Sequence, residues 1–270
     1  MEEFERIREL FRPIQPTVAE NDRSVSYREV SPTGQLSFFV SCFWQLRSAR
    51  PLPEPYTYRV VSDGCIDLFF DLVRPADCDI MGFCRRYTQF AIGTRFNYVG
   101  IRFLPSAFPL LFGIDARRLS DRSQPLREIL PDLADWISKT MGPEVCFEQL
   151  IPPCCDKLNR TLADRDIAPD HRFFAALTSL LRSGGNLNVE TQLNTGLSPR
   201  QMRRYCQYFL GTSPKVFATV VRFQNVLSLA GPKAERSAVN VYQEAGFYDQ
   251  AHFIRTFRRF YGVTPGVALG

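Results

Sequence analysis

Gly246-Phe-Tyr-Asp-Gln-Ala-His-Phe-Ile-Arg-Thr-Phe-Arg-Arg-Phe-Tyr-Gly-Val-Thr-Pro265 fixes the character of the C-terminal part of this 270-residue chain. Gly246 supplies the positive-φ conformation that closes a preceding helix. Asp249 is suited to cap the helix that follows. Phe253, Phe257 and Phe260 are spaced four and three apart, so they share one buried stripe. Gln250, Ala251, Arg255, Arg258 and Arg259 are left on other faces. With the helical stretch that starts at Ser237, this predicts a helix-turn-helix.

Gly196, 50 residues upstream, marks a second copy. A short helix is predicted to end near Asn194. After the turn, Ser198 caps, Pro199 takes the first helical position and Gln201 completes a capping box. Met202, Tyr205, Cys206 and Phe209 form the apolar face, while Arg200, Arg203, Arg204 and Gln207 lie opposite. Between the copies, Ser213 and Pro214 open a third helix reaching Ala230, with Val216, Val220, Phe223, Leu227 and Ala230 in one stripe. A helix that is apolar on one side and rich in Arg and Gln on the other suits the DNA major groove. Arg presents two parallel donors to guanine O6 and N7, Gln pairs with adenine N6 and N7, and other basic side chains hold phosphates. A stiff central helix would set the spacing of two reading heads, which matches successive major grooves about 34 Å apart without dimerisation.

Charge agrees. Residues 171–270 carry 12 Lys and Arg against 4 Asp and Glu, a net +8, whereas residues 1–170 carry 21 against 24, a net −3. A basic part joined to a slightly acidic one points to a polyanionic partner for the former.

Residues 171–270 resemble the AraC family of transcription regulators. The resemblance is carried by Leu197-Ser-Pro, Met202-Arg-Arg, Gly211-Thr-Ser-Pro, Arg222 and the whole run from Gly246 to Pro265. It implies double-stranded DNA as partner, with Arg200, Arg203 and Arg204 at base-facing positions of the first head. Asp249, Gln250 and Arg255 match the reading face of the second, with Arg258, Arg259 and His252 beside them for phosphate or packing. RNA polymerase is a further partner that such a regulator implies. The sequence departs from the family where small residues usually stand, at Gln192 and Tyr242. Leu193 shifts the apolar register by one, Val226 replaces a usual Ala, and the usual Arg after Thr264-Pro265 is absent. Val61-Ser-Asp-Gly-Cys-Ile-Asp-Leu68 and Gly100-Ile-Arg-Phe-Leu-Pro-Ser-Ala-Phe108 resemble, more weakly, the N-terminal domains of one branch of the family, whose ligand is usually unassigned.

The N-terminal part reads as strands over 24–30, 36–46, 56–61, 66–73 and 98–104, punctuated by Ser31-Pro-Thr-Gly34, Pro51-Leu-Pro-Glu-Pro55 and Ser62-Asp-Gly64. Helical spacing follows over 126–140 and 154–166. The predicted fold class is α+β. Residues 1–165 form an antiparallel β-barrel or sandwich with C-terminal helices, for sensing or dimerisation. Residues 166–270 form an all-α domain of two helix-turn-helix motifs joined by a central helix. The boundary falls within 164–170.

Trp44, Tyr58, Arg59, Phe69 and Arg102 are the candidate effector-binding residues, with Phe70 and Phe103 as further lining or plain core. An Arg turned into such a domain would favour an anionic or carbonyl ligand. The eight Cys contain no C-x-x-C pair and the two His stand apart from them, so no metal site and no cofactor is expected. No Ser-His-Asp order or phosphate-binding glycine loop suggests an enzyme. No stretch nears the ~20 apolar residues of a membrane helix, and the charged start lacks signal-peptide character, so a cytoplasmic protein is expected. The function expected is sequence-specific DNA-binding regulation under a small-molecule effector, with a homodimer as an option. The alternative is control by protein–protein contact without a ligand.

Overall fold

The computed structural model describes residues 2–16, 24–167, 170–189, 191–193, 195–231 and 238–269. Helix α1 (Glu2–Leu10) precedes strands β1 (Val25–Val30), β2 (Val40–Ser48), β3 (Thr57–Val60), β4 (Ile66–Asp71), β5 (Cys78–Met81), β6 (Thr88–Ala91) and β7 (Asn97–Phe103). Helix α2 (Ala107–Phe112), strand β8 (Ser123–Pro125), and helices α3 (Pro131–Thr140) and α4 (Phe147–Ala163) follow. Then come α5 (His171–Arg182), α6 (Pro199–Leu210), α7 (Pro214–Ala230), α8 (Ala238–Glu244), α9 (Gln250–Tyr261) and α10 (Pro265–Ala268).

The strands pair in two antiparallel sheets: six strands in the order β1-β2-β7-β4-β5-β8, and the ladder β3-β6. Because side chains alternate across a strand, the inner strands β2, β7, β4 and β5 each serve two cores. Phe43, Leu68, Phe70, Ile80, Ile101 and Phe103 face the helices. Cys42, Trp44, Leu46 and Met81 face the small ladder, together with Tyr58 and Val60. Gly100 sits between Trp44 and Phe69 in register, and a Cβ there would lie 2.3 Å from Trp44 Cε2. Only glycine lets the indole lie across the strand.

Three local expectations are corrected. Residues 34–38 are a 3-10 turn, so β2 begins at Val40 rather than Leu36. Gly34 takes φ 65°, and the Ser37 hydroxyl closes the turn on the Gly34 carbonyl at 2.7 Å. Helix α4 starts seven residues before the predicted Cys154 and runs through Pro152 and Pro153. A proline pair resembles a helix start, but here the Gln149 side chain accepts from the Cys146 N–H at 3.1 Å and fixes the start earlier. The helix predicted to end near Asn194 is reduced to turns among the described residues, with Glu190 and Asn194 outside them. A single helical turn joins Gln192 N to Asn188 O at 2.8 Å, and the Gln192 side chain caps Asn188 N at 2.7 Å. Asn, Thr and Val are poor helix formers, in keeping with turns rather than a helix among the described residues here.

Phe4 meets Phe174 at 4.9 Å between ring centres, and Phe11 and Phe83 each lie 6.5 Å from Phe217. The core on the helical side of the sheet therefore continues into the C-terminal helices. This explains why α7 is buried on nearly every face, with Phe217, Ala218, Val221 and Val226 added to the predicted stripe. Within the boundary segment 164–170, Ala168 and Pro169 lie outside the described residues.

Candidate nucleic-acid interface and ligand pocket

The first head is built on α6. Ser198 Oγ accepts from Gln201 N at 3.3 Å and the Gln201 side chain accepts from Ser198 N at 2.9 Å, with Pro199 opening the helix. Gly196 takes φ 75° before it. Met202, Cys206 and Leu210 are buried. Arg200, Arg203 and Arg204 are exposed and, with Gln207, line one shallow surface cleft.

The second head is built on α8 and α9. Gly246 takes φ 80°, and Asp249 Oδ1 accepts from Ala251 N at 2.8 Å. Phe253, Phe257 and Phe260 are buried, joined by Thr256 and Tyr261. Tyr242 stacks on Phe253 at 5.6 Å, filling the space that a small residue would leave. Gln250, His252, Arg255 and Arg258 are exposed, and Arg255 lies 3.9 Å from the Asp249 carboxylate. Tyr248, missed by the sequence reading, is fully exposed beside them. A large aromatic with no packing role is a signal only structure can supply, because sequence offers no measure of exposure.

Arg259 is placed elsewhere. Its Nε donates to the Arg85 carbonyl at 2.8 Å, while Tyr87 N donates to the Arg259 carbonyl at 3.0 Å. Ser62 N likewise donates to the Phe260 carbonyl at 3.2 Å. The C-terminal end of α9 is thus docked on the N-terminal loops around Ser62 and Arg85–Tyr87, beside β3 and β6. Gln224 of α7 continues the contact: its side chain accepts from Ile14 N at 2.8 Å and donates to Ser62 O at 2.9 Å. At the other head, Ser120 Oγ donates to the Gly211 carbonyl at 2.6 Å.

A cavity of about 240 Å³ lies between the large sheet and the β3-β6 ladder. Trp44, Tyr58, Phe69 and Arg102 line it, as the sequence suggested. Arg59 does not, since it alternates with Tyr58 and Val60 on β3 and turns to the Tyr87 ring at 5.9 Å, near Gly262. Phe70 and Phe103 belong to the opposite face of the sheet. Phe90, Tyr98, Asp67, Asp71 and Asp79 also line it and escaped the sequence reading. The alternation Asp67, Phe69, Asp71 along β4 carried that information, but only a known sheet face converts it into a pocket.

Arg102 is almost fully buried and engaged through Nε and one terminal nitrogen. It pairs with Asp63 and Asp67 at 3.2 Å each and with Glu29 at 3.0 Å. Burial alone would lower its pKa, but the Asp67, Tyr27 and Asp63 charges outweigh that and hold it well above the usual value. Trp44 Nε1 donates to Asp67 Oδ1 at 2.7 Å. Burial pushes the Asp67 carboxyl up to about 6, against the opposing pull of Arg102. The inward Arg behind the expectation of an anionic or carbonyl ligand thus already faces three carboxylates. Asp63 extends the network, because Gln15 Nε2 donates to it at 2.8 Å and to the Val61 carbonyl at 2.9 Å. The segment 61–65 thus touches the pocket network on one side and α7 and α9 on the other.

The eight cysteines are free thiols. Burial raises Cys84, Cys154 and Cys206 to about 12. Among the described residues no group of His, Cys, Asp or Glu is arranged to hold a metal, and no helix is long and apolar enough to cross a membrane.

Residues 194–269 match the family model of a helix-turn-helix domain, and residues 28–125 match a domain of unknown function (DUF6597). No curated protein matches the chain. Among solved structures, the apo form of a ToxT variant from Vibrio cholerae strain SCE256 shares 12% identity, with 93% of this chain and 98% of that chain covered at a TM-score of 0.46. ToxT from Vibrio cholerae O395 shares 10% identity over 92% and 98% at 0.44. Unsaturated fatty acid bound wild-type ToxT from strain SCE256 shares 12% over 93% and 97% at 0.41.

Proposed function

This chain carries an AraC-type helix-turn-helix domain over residues 194–269, and from that premise we propose that it is a sequence-specific transcription regulator whose N-terminal pocket takes a small-molecule effector. The observation that carries the proposal is the pair of capped helices, α6 and α9, each turning an exposed Arg-bearing face away from a buried aromatic stripe. Arg200, Arg203 and Arg204 read bases from the first head, and Gln250 and Arg255 from the second. Asp249 serves mainly as cap, and Arg258 and His252 meet phosphate. Arg259 acts instead as a link to the N-terminal part. Residues 1–165 sense and residues 166–270 bind.

Effector control needs a ligand that prefers one of two arrangements. The segment 61–65 supports such coupling. A ligand that displaces Asp67 or Arg102 strains Asp63, and Asp63 adjoins Ser62, which holds Phe260 and Gln224. Selection of bound duplexes from random DNA by the full-length protein tests the proposal. The expected result is two short conserved blocks about one helical turn apart, with affinity falling steeply as salt rises. Salt-independent binding or no enriched sequence contradicts it.

A further inference from the structure

The pocket's charge identifies its ligand class. Its lining carries four carboxylates, Asp67, Asp71, Asp77 and Asp79, against Arg74 and Arg102. Arg102 already shares its Nε and one terminal nitrogen with Glu29, Asp63 and Asp67, so three carboxylates compete with an incoming anion for it. Arg74 is largely exposed and leans toward Asp77 at 3.8 Å. Asp71 uses Oδ1 to accept from Val73 N at 3.1 Å and Asn97 N at 3.3 Å, which leaves its second oxygen for the cavity. Asp79 stands directly opposite Phe69 in the β4–β5 register, with its carboxyl raised by burial and by Asp77.

The walls between these carboxylates are aromatic. Phe69 is at the centre, 6.2 Å from Trp44 and 6.4 Å from both Phe90 and Tyr98 between ring centres. Ring faces carry partial negative charge and attract cations, most strongly when water is excluded. Aromatic walls with surplus carboxylates repel a fatty acid, a sugar acid or a phosphate, and stabilise a positive charge on an apolar body.

We infer that the effector is a small hydrophobic organic cation, an aryl-alkyl amine or quaternary ammonium, held by Phe69, Trp44 and Tyr98 with Asp71 and Asp79 as counter-charges. This rests on the proposed role of the pocket as the effector site, and deepens it. Apolar groups fill the cage and the cationic end lies between the two carboxylates. The cavity's size limits the ligand to about one aromatic ring and a short chain.

Three probes of matched size test the inference with the full-length protein: benzyltrimethylammonium, its neutral carbon isostere neopentylbenzene, and 3-phenylpropionate. Binding is followed by tryptophan fluorescence and operator affinity by titration. The cation should bind at least about 10-fold more tightly than the isostere, in line with a desolvated cation–π contact, and 3-phenylpropionate should not bind measurably. Asp71→Asn with Asp79→Asn should bring the cation down to the isostere's level, while Phe69→Ala weakens both. Circular dichroism and the thermal midpoint confirm that each variant folds. Equal affinity for cation and isostere, tighter binding of 3-phenylpropionate, or no binding of the cation overturns the inference. Cation binding that leaves operator affinity unchanged upholds the ligand class and removes the effector role. A shift in operator affinity caused by 3-phenylpropionate alone does the reverse.

Discussion

The two heads share one plan and are held differently. In the first, α6 is capped, its Arg200, Arg203 and Arg204 face solvent, and the stretch before the turn shows, among the described residues, a hydrogen-bonded turn at Asn188–Gln192 rather than a helix. In the second, both helices form and the end of α9 is fastened to N-terminal loops, with Arg259 on Arg85 and Tyr87 and Phe260 on Ser62. The first head touches the N-terminal part near Ala116 and Ser120, away from the pocket network. The second adjoins the segment 61–65 that the network braces. Under the proposed function the two copies are two readers, and the attachment of the N-terminal part makes the second the one an effector would address.

The largest expected effect comes from the network under the second head. Arg102→Met leaves Asp63 and Asp67 buried without their counter-charge and should cost about 3–5 kcal/mol in urea unfolding. Hydrogen exchange should rise in α9 more than in α6; equal rises would erase the distinction between the heads.

Next come the turn glycines. Alanine at either position adopts a left-handed conformation costing roughly 1–2 kcal/mol. At Gly246 the new Cβ also meets Asn186 Oδ1 at 2.2 Å, whereas at Gly196 its nearest neighbour is Arg172 Cδ at 3.7 Å. Gly246→Ala should thus destabilise clearly more than Gly196→Ala in the same unfolding assay.

Arg204→Ala should relax one base position by about 1–3 kcal/mol in a panel of single-base operator variants. Arg259→Ala should leave base preference intact and cost about 1 kcal/mol of stability through the lost bond to Arg85. A base-specific loss from Arg259→Ala would return that side chain to the reading face.

A further effect is on pH. Asp67 holds its proton up to about 6 when folded against 3.8 ordinarily. A carboxyl bound more tightly by the folded state makes stability fall as pH rises through that window. Arg102, Asp63 and Trp44 are the groups that face it. Asp67→Asn should flatten the slope between about pH 4 and pH 6, as read by thermal midpoints; an unchanged slope assigns it to other groups.

Much of the C-terminal part was legible because its signals are local: a cap, a glycine and an apolar stripe sit within a dozen residues. The exception, the segment closed by the Asn188–Gln192 bond, failed because weak formers leave the outcome to packing. The sheet was legible as strands but not as faces. Phe69 and Phe70 look alike in sequence, yet one lines the pocket and the other packs on helices. Arg102 was identified, while its partners Asp63 and Glu29 lie 39 and 73 residues away and share no local pattern with it. The sign of the pocket's charge followed from those partners, so it could not be read from the arginine.

The account stands most directly on a spacing series. Operators selected by the full-length protein are rebuilt with one to five base pairs inserted between the two blocks, and affinity is measured for the wild type and for Arg259→Ala. A head fastened at Arg85 and Tyr87 and spaced by α7 predicts a steep loss with one or two inserted pairs in the wild type, and a shallower loss in the variant. Wild-type affinity indifferent to spacing would contradict it.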